Sequence, residues 1–150
     1  MYMLYKAHSP EHQDWMRQRQ SYNNEINTKV LKMKRYIWVT FQKEGIHKYP
    51  QAATDPKLAE VSFLGNEHRH IFHFKVQLEV FHDDRDVEFI LLKRELEALY
   101  DKGTMQADFK SCEMMAEDLY EYIKDHYPDR GCLIDVSEDG ENGCQIDFRS

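Results

Sequence analysis

Between Glu67 and Val80 apolar and polar residues alternate for most of the run, Glu-His-Arg-His-Ile-Phe-His-Phe-Lys-Val-Gln-Leu-Glu-Val. A period of two predicts a half-buried strand, here from about His68 to His82. On such a strand His68 and His70 point to one face, while His73 points to the other with Ile71. Arg35–Gln42 (Arg-Tyr-Ile-Trp-Val-Thr-Phe-Gln) is enriched in β-branched and aromatic residues and predicts an earlier strand. Residues 43–66 hold two of the four prolines and little periodicity, so they read as a long loop carrying His47.

After the acidic turn Asp83–Asp86 the period changes. Ile90, Leu91, Leu92, Leu96 and Leu99 recur at helical spacing and predict a helix from Val87 to Tyr100, ended by Asp101-Lys102-Gly103-Thr104. A second helix is expected from Ser111 to His126, capped by Ser111, with Met115, Leu119, Tyr122 and Ile123 inward and Pro128 beyond its end. Two short strands, 132–137 and 143–148, close the chain around a turn rich in Asp, Gly, Glu and Asn. Residues 1–34 read as an N-terminal helical extension, started by Ser9-Pro10-Glu11 and striped by Tyr22, Ile26 and Val30. Residues 35–150 then form one domain. Grouped strands and grouped helices predict an α+β fold, a four-stranded antiparallel sheet with two helices on one face.

Charge and cysteine content narrow the function classes. A net charge of −7 over 150 residues gives no global field for a nucleic-acid backbone or an anionic membrane, so neither is predicted as a partner. No apolar run approaches the ~20 residues needed to span a bilayer. The three cysteines, Cys112, Cys132 and Cys144, are odd in number, widely spaced and free of any Cys-x-x-Cys, which fits a reduced, cytoplasmic protein. The positive signal is the histidine pair. Two imidazoles two residues apart on one strand face can reach a single metal ion, each with a ring nitrogen at roughly 2.0–2.1 Å.

The element order, with His-x-His opening the second strand, resembles the 6-pyruvoyltetrahydropterin synthase and 6-carboxytetrahydropterin synthase family, which has the tunnelling fold. Phe41–Pro50 is similar to the family segment that carries a first zinc histidine, which would be His47. Glu67-His68-Arg69-His70 matches its His-Gly-His, with Arg69 in place of glycine. Val87–Lys93 and Ala116-Glu117-Asp118-Leu119 resemble the openings of its two helices. Val136-Ser137-Glu138-Asp139 falls where the family has Val-x-Glu-Thr. The resemblance covers about residues 35–150. It implies Zn2+ held by His47, His68 and His70, and a pterin- or purine-like ligand gripped by Glu138. It also implies a homo-oligomer, trimer-based or hexameric, and carbon–oxygen lyase chemistry on a pterin or 7-deazapurine precursor.

Three departures bear on that chemistry. The family's cysteine base precedes His-x-His by four or six residues, where this chain has Leu64 and Ser62. Glu60 or Glu67 would have to replace it. The family's Asp-His pair falls at Asp101-Lys102, which keeps the acid and loses the imidazole, and its Pro-Thr falls at Met114-Met115. A proton relay without its thiol and its imidazole should not run the standard reaction well. Two readings therefore stand: a diverged enzyme with a non-standard base, or a non-catalytic tunnelling-fold protein that binds a purine- or pterin-like ligand or a protein partner.

Overall fold

The computed structural model describes residues 10–31, 33–100 and 102–149, and of residues 26–31 the backbone alone. The chain divides between Lys34 and Arg35 into two units. In the first, helix α1 covers Pro10–Leu31, with Trp15, Met16 and Tyr22 exposed. The expected cap Ser9 and the side chains of Ile26 and Val30 lie outside the described residues.

The second unit runs β1 (Arg35–His47), 3-10 segments at Pro50–Ala53 and Pro56–Gly65, then β2 (His68–Val80) and α2 (Phe89–Glu97). It continues with β3 (Met105–Asp108), α3 (Cys112–His126), β4 (Cys132–Glu138) and β5 (Asn142–Asp147). The fold is α+β. The sheet order is β3-β1-β2-β4-β5.

Register decides which residues meet. β1 and β2 pair antiparallel along their whole length, with Val39 opposite Val76, Phe41 opposite Phe74 and His47 opposite His68. Directly opposed residues share a face, so the odd positions of β1 lie with the even positions of β2. β4 pairs antiparallel with β2, Val136 opposite Phe74 and Glu138 opposite Phe72, and adds its own even positions. That common face packs Val39, Phe41, Phe72, Phe74, Val76, Leu78, Ile134 and Val136 against Leu92 and Leu96 of α2 and Met115, Leu119 and Ile123 of α3. Each such side chain, fully buried, contributes about 1.5–3 kcal/mol. At one end of the face the apolar row gives way to His47, His68, His70 and Glu138.

The structure corrects several sequence expectations. The sheet is five-stranded and mixed, not four-stranded and antiparallel, because β3 lies parallel to β1, with Met105 opposite Gly45 and Gln106 opposite Ile46. Four residues, of which only Met105 and Ala107 turn inward, carry too little alternation to stand out as a strand. β1 runs on to His47 rather than stopping at Gln42. Its extension is held by pairing with β2 and by Gly45, where a Cβ would fall 2.7 Å from the Phe72 ring and 3.0 Å from Met105. Residues 43–66 are thus strand and 3-10 turns rather than loop, the second turn capped by Asp55, whose carboxylate accepts from Lys57 N at 2.9 Å. β2 stops at Val80, and His82 lies in the turn beyond. α2 is shorter than Val87–Tyr100. Glu88 caps it by accepting from Leu91 N at 2.9 Å, and only Leu92 and Leu96 are buried. No described helix is long and apolar enough to cross a membrane.

Candidate metal centre

His47 ends β1, and His68 faces it from the start of β2. His70, two residues on, lies on the same face, opposite Gly45, which has no side chain to crowd it. The three rings stand edge to face, with centroids 4.6 Å (47 to 68), 5.2 Å (47 to 70) and 5.0 Å (68 to 70) apart. His47 is buried, and the other two are half-buried.

One nitrogen of each ring is already committed. His47 Nδ1 lies 3.2 Å from Lys110 O, His68 Nδ1 2.7 Å from Asn66 O, and His70 Nδ1 2.6 Å from Asp139 Oδ2. Carbonyl and carboxylate oxygens only accept, so these partners assign the proton to Nδ1 in all three neutral rings and leave Nε2 with its lone pair. One ligand nitrogen from each ring lies within 4.8 Å of the others. Nε2 of His47 and of His70 is buried without a hydrogen-bond partner. A buried polar atom left so is costly in a native fold. A metal ion is the natural occupant of three converging lone pairs, and anchoring the distal nitrogen to an oxygen is how metal-binding histidines are oriented. The residues fit a metal, and His47, His68 and His70 can hold one.

Glu138 completes the cluster. Its Oε1 lies 3.2 Å from His47 Nε2 and its Oε2 3.7 Å from His70 Nε2, close approaches that leave both nitrogens without a hydrogen bond. The next two residues, Asp139 and Gly140, take φ of 56° and 73°, the left-handed values that a tight hairpin turn requires, and Glu141 N donates to Glu138 O at 3.0 Å. The turn ties back to β2. Asp139 Oδ1 accepts from Ile71 N at 2.8 Å, and Asp139 N donates to Ile71 O at 2.8 Å. The His70 ring, and after it the Ile71 amide, hold the Asp139 carboxyl below the usual carboxylate range. Asp139 and the carbonyls of Asn66 and Lys110 are the parts sequence reasoning missed. The Asp-Gly pair is legible as a turn, but its reach to His70 depends on the β2–β4 register.

Beside the histidines lies a cavity of about 440 Å³, lined among others by His47, His68, Glu138, Tyr49, Lys110 and Glu113. Neither Glu60 nor Glu67 lines it. Glu60 is exposed on the second 3-10 segment, and Glu67, also exposed, approaches Lys48 Nζ at 3.6 Å. Asp101 lies outside the described residues. The cysteines are free. Burial, then the nearby Glu138 charge, pushes the Cys112 thiol up to about 12, and burial alone does the same for Cys132. Both stay protonated at neutral pH and make poor nucleophiles or bases. His73 sits on the opposite face, 3.2 Å from Gln42 Nε2. No protein-family model matches the chain, and no curated protein is significantly similar to it in sequence.

Proposed function

We propose that residues 35–150 form a zinc-binding domain diverged from the 6-pyruvoyl- and 6-carboxytetrahydropterin synthases, with a tunnelling fold and a pocket for a pterin- or 7-deazapurine-like ring. One observation carries this reading: three histidines from two paired strands converge, each with its Nδ1 already anchored. Bound there, zinc would polarise a ligand oxygen and ease removal of a neighbouring proton. His47, His68 and His70 would hold the ion. The cavity walls would exclude water and orient the ring, and Lys48, Glu113 and Lys110, the last paired with Asp118, are charged side chains that line it beside Glu138.

The non-catalytic alternative has its own support. The acids suggested as replacement bases, Glu60 and Glu67, stand off the cavity, and the nearby thiol is held protonated. We favour a ring-binding metal protein whose turnover is weak or lost. The family's homo-oligomeric assembly suits the open outer edge of β1, which β3 covers only at Gly45–His47. Exposed Trp38, Phe89 and Ile90 line a second cavity of about 660 Å³ beside it.

Metal content of protein purified without chelators, beside a His68→Ala/His70→Ala variant, tests the core of the proposal. About one zinc per chain in the wild type and none in the variant is the expected result. Equal metal in both, or none in either, would overturn it. Ligand binding without reaction, measured with pterin triphosphates, then separates the two readings.

A further inference from the structure

We infer that Glu138 is a fourth protein ligand of this metal centre, so that the resting site is closed by the chain itself. The inference builds on the metal reading above and changes the part Glu138 plays in it. Ligand atoms about 2.0–2.2 Å from a tetrahedral ion stand roughly 3.3–3.5 Å from one another. Glu138 Oε1 lies 3.2 Å from His47 Nε2, close to that spacing, and its other oxygen, Oε2, lies 3.7 Å from His70 Nε2, so the carboxylate stands against both inner nitrogens. The register explains the placement: Glu138 stands opposite Phe72, one pair beyond Val136, and its even position turns it to the histidine face.

Charge supports the same role. Three neutral imidazoles leave a divalent ion with its full charge in a half-buried site. One carboxylate on the ion and the Asp139 carboxylate behind His70 would together balance it. An oxygen held by the ion cannot at the same moment take one of two parallel hydrogen bonds from an amino-pyrimidinone edge. Glu138 therefore cannot both close the centre and clamp a ring. A ring entering the cavity must first draw it off the metal.

The test uses the full chain loaded with Co2+, whose visible spectrum reports its ligands, and thiocyanate as a probe of any open position. In the wild type the spectrum should be that of a four-coordinate ion and should not change with thiocyanate. In Glu138→Ala, and in the isosteric Glu138→Gln should the first variant fold poorly, thiocyanate should shift the spectrum saturably. Co2+ should also bind roughly tenfold or more weakly in both. A wild-type spectrum that responds to thiocyanate as the variants do, with unchanged Co2+ affinity, would remove Glu138 from the centre and leave the three-histidine site standing. Absence of Co2+ binding in the wild type would remove the metal site and this inference together.

Discussion

The two ends of one sheet use polar residues in opposite ways. At the end near Val80, Asp86 accepts from Phe81 N at 2.8 Å and from Arg130 Nη1 and Nη2 at 2.7 and 3.3 Å. Arg130 Nη1 also donates to Glu79 O at 3.0 Å, its guanidinium lies over the Phe81 ring, and Glu79 Oε2 accepts from Gly131 N at 2.9 Å. Donors there meet acceptors, and positive charge meets negative. At the histidine end three like groups converge, each satisfied at its outer nitrogen, with two of the inner nitrogens buried and unpartnered. Both ends are polar and partly buried. Tyr36 Oη, opposite Glu79, is also buried without a hydrogen bond, but it stands alone; unmatched nitrogens grouped at one point separate a binding site from a structural ion pair.

The largest expected effect breaks the comparison at the histidine end. Zinc added to chelator-treated wild type should raise its melting temperature, while the His68→Ala/His70→Ala variant should not respond. The stabilisation follows from binding to the native state alone, and reaches about 4.1 kcal/mol when free metal is 1,000 times Kd. An equal shift in both proteins would mean that the ion binds elsewhere. Gly45→Ala comes next, since its new Cβ would meet the Phe72 ring at 2.7 Å. Overpacking of this kind costs about 1–3 kcal/mol. Because Gly45 also faces His70 across the strands, urea unfolding and metal affinity should fall together. Loss of stability with metal binding intact would show that the histidines are positioned independently of that packing.

Alternation alone put His68 and His70 on one face and His73 on the other, because a period of two is a property of the strand whatever packs on it. The α+β class followed from grouped periods in the same way. His47 was a different case. Lys43-Glu44-Gly45 reads as loop, and only the full-length pairing with β2 makes it strand and sets His47 opposite His68. β3 carries no legible alternation because its four residues hold one inward pair. The anchors of the imidazoles are two backbone carbonyls and a turn aspartate, and backbone groups leave no residue-type signature. Glu138 was legible as a candidate only through resemblance. Its closeness to the imidazoles comes from the register of β4 on β2.

Two smaller effects sharpen the contrast. Asp139→Asn keeps the shape behind His70 but removes the charge that orients and polarises its ring. Metal affinity should fall by about 10- to 100-fold, the usual loss for such a partner. Competition against a chromogenic chelator measures the loss, and an undiminished affinity would show that the hydrogen bond is incidental.

The last prediction concerns acid. The Arg130 guanidinium, and after it the Phe81 amide, hold the Asp86 carboxyl down to about 2, against the ordinary 3.8. A native pKa below the unfolded one means that the unfolded chain takes up protons first as pH falls. The contribution is therefore fully present above about pH 4 and is lost as pH falls toward about 2. Urea unfolding of wild type and Asp86→Asn should differ by a constant amount between about pH 5 and 8, and the gap should shrink from about pH 4 downward. A gap that stays constant to pH 2 would mean that Asp86 titrates alike in both states, and the matched end of the sheet would then owe its order to the Arg130 contacts with Glu79 and Phe81 instead. Asp139 shares the acid window, since its carboxyl is also held low, so the same series on Asp139→Asn is the control that assigns each part of the slope to its own end.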